Sequence, residues 1–126
     1  MPKKTIMVVD DDAPILELIG DILKPGGYNI VKAQSGSEAL EKLKKNKPDL
    51  ILLDLMMPSM DGWDVCEKIK NNKKTENIPI IFVTAKNDPI SRSMGSLASV
   101  EYITKPFDMN DMKKKVKSIL NQKNKK

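Results

Sequence analysis

Five short runs of β-forming residues, each followed by a segment long enough for a helix, constrain this 126-residue chain more than any other feature. The first, Thr5 to Val9, breaks into three acids, Asp10, Asp11 and Asp12. Asp12 with Pro14 reads as a helix start, because aspartate caps a helix and proline suits its first turn. Ile15, Leu16, Leu18, Ile19, Ile22 and Leu23 then form a helical stripe that Pro25-Gly26-Gly27 stops. Tyr28 to Ala33 is the second strand. Ser35 with Glu38 three residues on is a capping box, and it opens a helix with Ala39, Leu40 and Leu43 on one face. Leu50 to Leu53 is apolar throughout, as in a strand buried on both faces. Asp54 and a Met-Pro loop to Gly62 follow. A helix is predicted from Trp63 to Asn71, with Trp63, Cys66 and Ile69 inward. Pro79 to Val83 is a fourth strand, ending at Thr84. Ile90, Met94, Leu97 and Ala98 have helical spacing, and Val100 to Thr104 is the fifth strand. After Lys105-Pro106-Phe107, Asp108 caps a last helix whose stripe is Met109, Met112, Val116, Ile119 and Leu120.

Strands separated by helix-length crossovers imply a parallel sheet covered on both faces. In such sheets ligands bind at the carboxyl ends of the strands, near the point where the strand order reverses. That rule gathers residues the sequence scatters. Asp10 and Asp11 end strand one, Asp54 ends strand three, Thr84 ends strand four and Lys105 follows strand five. Three carboxylates at one edge repel one another unless a cation offsets them. A hard divalent ion such as Mg²⁺ fits that donor set. A lysine and a hydroxyl beside it suit a phosphoryl group, whose oxygens need separate partners. Asp54 is then the natural acceptor, since carboxylates form acyl phosphates.

Composition narrows the chemistry. The chain has no His, which excludes a histidine general base, a Ser-His-Asp triad and a His-ligated zinc. Its one cysteine, Cys66, excludes an internal disulfide. At 40% hydrophobic and 31% charged it should form a soluble globule. No apolar run approaches the ~18 residues of a membrane span, and the start shows no signal-peptide pattern. A reduced, cytoplasmic setting is expected. The net charge of +5 is uneven. Residues 113–126 hold seven Lys and no acid, leaving 15 basic and 17 acidic residues over 1–112, a net of −2. The body is mildly acidic and the tail basic. With no linker, repeat or second unit in view, the chain reads as one domain over 1–126. Its core is 4–121, and 122–126 form a frayed Lys-rich end.

Four motifs in order carry a family resemblance: VVDDD at 8–12, LLDLMMPSMDG at 52–62, VTA at 83–85 and YITKPF at 102–107. Together they resemble the receiver domain of two-component response regulators, over residues 4–121. The resemblance implies a flavodoxin-like, doubly wound (βα)5 α/β sandwich with a parallel five-stranded sheet of order 2-1-3-4-5. It implies Asp54 as phosphoacceptor, Asp11 as direct Mg²⁺ ligand and Asp10 acting largely through water. The backbone carbonyl of Met56 would complete the metal site. Thr84 resembles the switch hydroxyl, Lys105 the lysine that pairs with a phosphoryl oxygen, and Tyr102 the aromatic that turns inward with the switch. Pro106 matches a proline that is usually cis. One departure stands out: residues 97–102 read Leu-Ala-Ser-Val-Glu-Tyr, without the glycine common before strand five.

The implied partners are a sensor histidine kinase or phosphotransfer protein, and a downstream protein or fused output domain. Pairing of two copies on phosphorylation is a further implication. The chain would be a phosphoacceptor with, at most, self-phosphorylation and self-dephosphorylation activity. Three other readings compete. A Mg²⁺-dependent phosphatase needs an acid two residues after its aspartate, where this chain has Met56. A DNA-binding regulator would act through an output domain absent from this chain, with the lysine-rich last helix as its only basic feature here. A phosphorylation-independent adaptor is the last, and quenching of Trp63 fluorescence by Mg²⁺ would count against it.

Overall fold

The computed structural model describes residues 3–54, 62–84 and 101–124. The chain order is β1 (Thr5–Val9), α1 (Ala13–Leu23), a 3₁₀ turn (Lys24–Gly26), β2 (Asn29–Ala33), α2 (Gly36–Leu43) and β3 (Leu50–Leu53). Then come α3 (Gly62–Lys70), β4 (Ile80–Thr84), β5 (Glu101–Thr104) and α4 (Met109–Asn124). All strand pairs are parallel and the order is β2-β1-β3-β4-β5. The fold is the expected flavodoxin-like α/β sandwich. Met56, the segment 90–98 and the loop carrying the missing glycine lie outside the described residues.

Side chains alternate across a strand, and here that alternation builds two cores. Ile6, Val8, Leu50, Leu52, Ile81, Val83 and Ile103 face one way and pack with α1 and α4. Met7, Val9, Ile51, Leu53, Ile80 and Phe82 face the other way and pack with α2 and α3. All four residues of β3 are fully buried, as a continuous apolar run between two helical layers requires.

The caps follow the sequence closely. The Asp12 side chain accepts from the Ile15 amide at 3.4 Å and opens α1. Ser35 Oγ accepts from the Glu38 amide at 3.0 Å, while Glu38 Oε1 accepts from the Gln34 amide at 2.8 Å. The reciprocal bond of the capping box thus falls one residue earlier than the standard partner, which is the capping serine itself. Gly27, at φ 85°, ends the 3₁₀ turn in the left-handed region that glycine adopts without strain. Two predicted core positions are exposed, Leu18 at 43% and Met109 at 52%.

Candidate functional site

The reversal of strand order falls between β1 and β3. The chain leaves β1 toward β2 on one side, and β3 leads to β4 on the other. A crevice opens at the carboxyl ends of strands flanking such a point. Asp10 and Asp54 are the residues immediately after these two strands. Val9 and Leu53 are register partners, and the Asp54 amide donates to the Val9 carbonyl at 3.0 Å. The sheet therefore sets the two aspartates side by side. On the other flank, the Asp10 amide donates to the Ala33 carbonyl at 3.1 Å.

Both aspartates are buried, Asp10 at 2% and Asp54 at 5% exposure, whereas Asp11 is exposed. Carboxylate oxygens of Asp10, Asp11 and Asp54 all lie within 4.8 Å of one another. Lys105 reaches this cluster from the end of β5. Its Nζ donates to Asp10 Oδ2 at 2.8 Å and lies 3.5 Å from Asp54 Oδ2. The other Asp10 oxygen accepts from the Asp12 amide at 3.0 Å. Asp12 is thus a cap whose backbone also braces the pocket. The Lys105–Pro106 peptide is cis, as the resemblance implied.

Charge and burial work against each other here. Burial raises the Asp10 carboxyl above its usual range, and the Lys105 and Asp12 hydrogen bonds offset this only in part. Burial alone would lower the Lys105 ammonium. The hydrogen bond and charge of Asp10, with the charge of Asp54, outweigh it and hold the ammonium above the ordinary lysine range. Three carboxylates against one ammonium leave a formal charge of −2. The donor set is all oxygen, as Mg²⁺ prefers. Donors around an octahedral ion with ~2.1 Å bonds lie at most ~4.2 Å apart. Oxygens within 4.8 Å of one another need at most a small inward movement to reach that spacing. The residues present fit the ion.

Thr84 ends β4, where it is the register partner of Thr104. Tyr102 on β5 is half-buried against the α2–α3 core. Its ring lies 6.1 Å from that of Phe82, which in turn meets Trp63 at 4.8 Å, both edge to face. Sequence reasoning missed this chain of rings. The signal that could have found it is parallel register, since Phe82 and Tyr102 are Cα partners.

Five parallel strands in this order, with an acidic cluster and a lysine at the switch point, define a doubly wound α/β domain with its polar residues at the ligand-binding edge. Residues 6–117 match the model of the response regulator receiver domain, and the chain belongs to that family, the receiver domain of two-component response regulators. Receiver domains of this class bind Mg²⁺ in their acidic pocket and work with histidine kinases and output domains. The chain is 40% identical over 118 residues to the alkaline phosphatase synthesis transcriptional regulatory protein PhoP of Bacillus subtilis, covering 93% of this chain and 48% of that protein. It is 38% identical over 121 residues to the phosphate regulon transcriptional regulatory protein PhoB of Pseudomonas aeruginosa, covering 95% of this chain and 53% of that one. Among solved structures, a CheY-like receiver domain protein from Methanospirillum hungatei superposes with a TM-score of 0.91 at 30% identity, covering 98% of each chain. The chain spans about half the length of the curated relatives it matches. No helix among the described residues is long and apolar enough to cross a membrane.

Proposed function

We propose that this receiver takes a phosphoryl group onto the Asp54 carboxylate from the phosphohistidine of a sensor kinase or phosphotransfer protein. One Asp54 oxygen bonds to phosphorus as the P–N bond of the donor breaks, and the imidazole leaves with that electron pair. The observation that carries this reading is the position of Lys105. Its ammonium lies 2.8 Å from Asp10 and 3.5 Å from Asp54, at the point where Asp11 also converges. A cation so placed can turn from Asp10 to a phosphoryl oxygen on Asp54 without leaving the pocket.

Asp10, Asp11 and Asp54 are the proposed holders of Mg²⁺, with the Met56 carbonyl implied by the family. Bound there, the ion would offset the charge of the incoming phosphoryl group. Thr84, at the carboxyl end of β4, is the proposed switch hydroxyl. Tyr102 is the proposed follower, because its ring can trade exposure for deeper contact with the Phe82 layer. Phosphorylation then favours whichever arrangement it stabilises more, a shift of populations. The output face would be built from β5, α4 and the segment 90–98, and it would meet a downstream protein or a fused output domain. The transcriptional-regulator relatives support the second option. Pairing of two phosphorylated copies through the same face belongs to this reading, as do self-phosphorylation, self-dephosphorylation and a cytoplasmic setting. The whole chain is proposed as one receiver unit, with 122–126 a Lys-rich end.

The test is incubation with acetyl phosphate and Mg²⁺ followed by intact-mass measurement. Wild type should gain one phosphoryl mass, Asp54→Ala should gain none, and chelating the ion should abolish the gain. Equal labelling of wild type and Asp54→Ala would end the assignment.

A further inference from the structure

A second concave site lies on the α2–α3 side of the molecule. Leu40 and Leu43 of α2 meet Ile69 of α3 at an open cavity of about 290 Å³, closed on one side by the segment after α3. That segment is held firmly. Thr75 Oγ1 donates to the Ile69 carbonyl at 2.7 Å. Lys70 Nζ donates to the carbonyls of Glu76 at 3.2 Å and Ile78 at 2.9 Å. The wall is therefore formed in advance of any ligand. No buried side-chain polar atom among the described residues lacks a partner, so the floor offers apolar contact rather than a polar group waiting for a ligand.

The rim is cationic. Lys44, Lys68 and Lys74 line the opening and no acidic side chain does. Lys44 shares an exposed pair with Glu41 at 2.9 Å. Lys68 and Lys74 make no ion pair among the described residues. The cavity is at the small end of ligand pockets, which run from roughly 300 Å³ upward. It suits one or two apolar side chains from a helix laid in a groove. Three lysines around an apolar floor select for carboxylates beside those anchors.

We infer that this groove docks an acidic amphipathic helix of a protein partner. The inference goes beyond phosphoryl transfer. Residue 43 leads on to the start of β3 and residue 70 to the start of β4, so the groove lies toward the sheet edge opposite Asp10 and Asp54. A partner seated there leaves the phosphorylation pocket open.

The probe is a labelled helical peptide of about 15 residues, with Leu at i, i+3, i+4 and i+7 and Glu on its flanks. A twin carries Lys for every Glu. Binding to the full chain is followed by fluorescence anisotropy and by methyl NMR of Leu40, Leu43 and Ile69. The acidic peptide should bind about tenfold more tightly than its twin, the sum of a few exposed pairs. It should move those three methyl signals. Lys68→Glu with Lys74→Glu should reverse the preference while keeping the wild-type urea midpoint, which guards against misfolding. Equal binding of the two peptides, or signals moving elsewhere, overturns the inference. Two other results also overturn it. Saturable binding to phosphatidylglycerol vesicles without peptide binding would make the surface a membrane site. Concentration-dependent shifts of the three methyls without peptide would make the occupant a second copy of the chain.

Discussion

At Asp10 a carboxylate with 2% exposure meets an ammonium at 2.8 Å, and the balance between them governs how the pocket responds to pH. Because the folded chain raises this carboxyl above the ordinary 3.8, it holds the proton more tightly than the unfolded chain. The contribution of Asp10 to stability is then fully present below that window and is lost as pH rises from 3.8 through the raised value. In buffer freed of divalent ions, Asp10→Asn should flatten that slope in urea midpoints measured between pH 3.5 and 7. An unchanged slope would remove Asp10 as its source. Lys105 works in the opposite sense. Its raised value adds stability that is complete below 10.5 and is lost as pH climbs through the folded value. Lys105→Met should cost roughly 1–3 kcal/mol at pH 7, the penalty of leaving a buried group without its partner. Mild acid should restore part of it, and phosphoryl labelling should slow sharply. These polar residues were legible in the sequence because each follows a buried strand, and parallel sheets collect such positions at one edge. The Trp63–Phe82–Tyr102 contacts were not legible, because they depend on which strands are neighbours.

The described elements were legible to within a few residues, and several of their departures have physical causes. Tyr28 and Pro79 were predicted as strand ends, yet β2 and β4 each start one residue later. A terminal residue with strand-like character need not join the ladder. Leu18 lies on the predicted stripe but sits ~200° round the helix from Leu16, outside the buried arc. Met109 is different. It shares the face of Met112 and Val116, and its exposure goes with its place as the first residue of α4. The N-terminal signals were the most reliable part of the reading, because a cap is a local hydrogen bond that needs no tertiary information. Ser35→Ala should therefore cost about 1 kcal/mol. Urea unfolding measures it, and a change below a few tenths would show that Gly36 and the Glu38 contact hold the turn alone.

For the whole molecule, alternation of strands and helices dictated a parallel sheet with two covered faces, while the strand order came only from the family resemblance. Nothing in the pattern of apolar residues distinguishes 2-1-3-4-5 from other doubly wound orders. The charge followed the same division. The acidic pocket was foreseen from three aspartates, but the lysine-lined groove between α2 and α3 required two helices to be brought together. Binding of Mg²⁺ to the folded chain alone would stabilise it by mass action, by about 2.7 kcal/mol at a hundredfold excess over Kd. The thermal midpoint should then rise by several degrees, and Asp11→Asn should lose most of that rise. A full rise in Asp11→Asn would exclude this residue as a ligand.

The partnership of Val9 with Leu53 has a consequence for how the gene can change. Because a shift of one residue turns a strand's side chains to the opposite face, β3 acts as a length standard for the pocket. A codon inserted between Leu50 and Asp54 would turn part of β3 toward the opposite core and displace the acceptor carboxylate relative to Lys105. The same codon inserted among the exposed residues Lys44 to Lys47 would lengthen a turn and leave the pocket in place. Deep insertion scanning should find these neighbouring stretches at opposite ends of the tolerance scale.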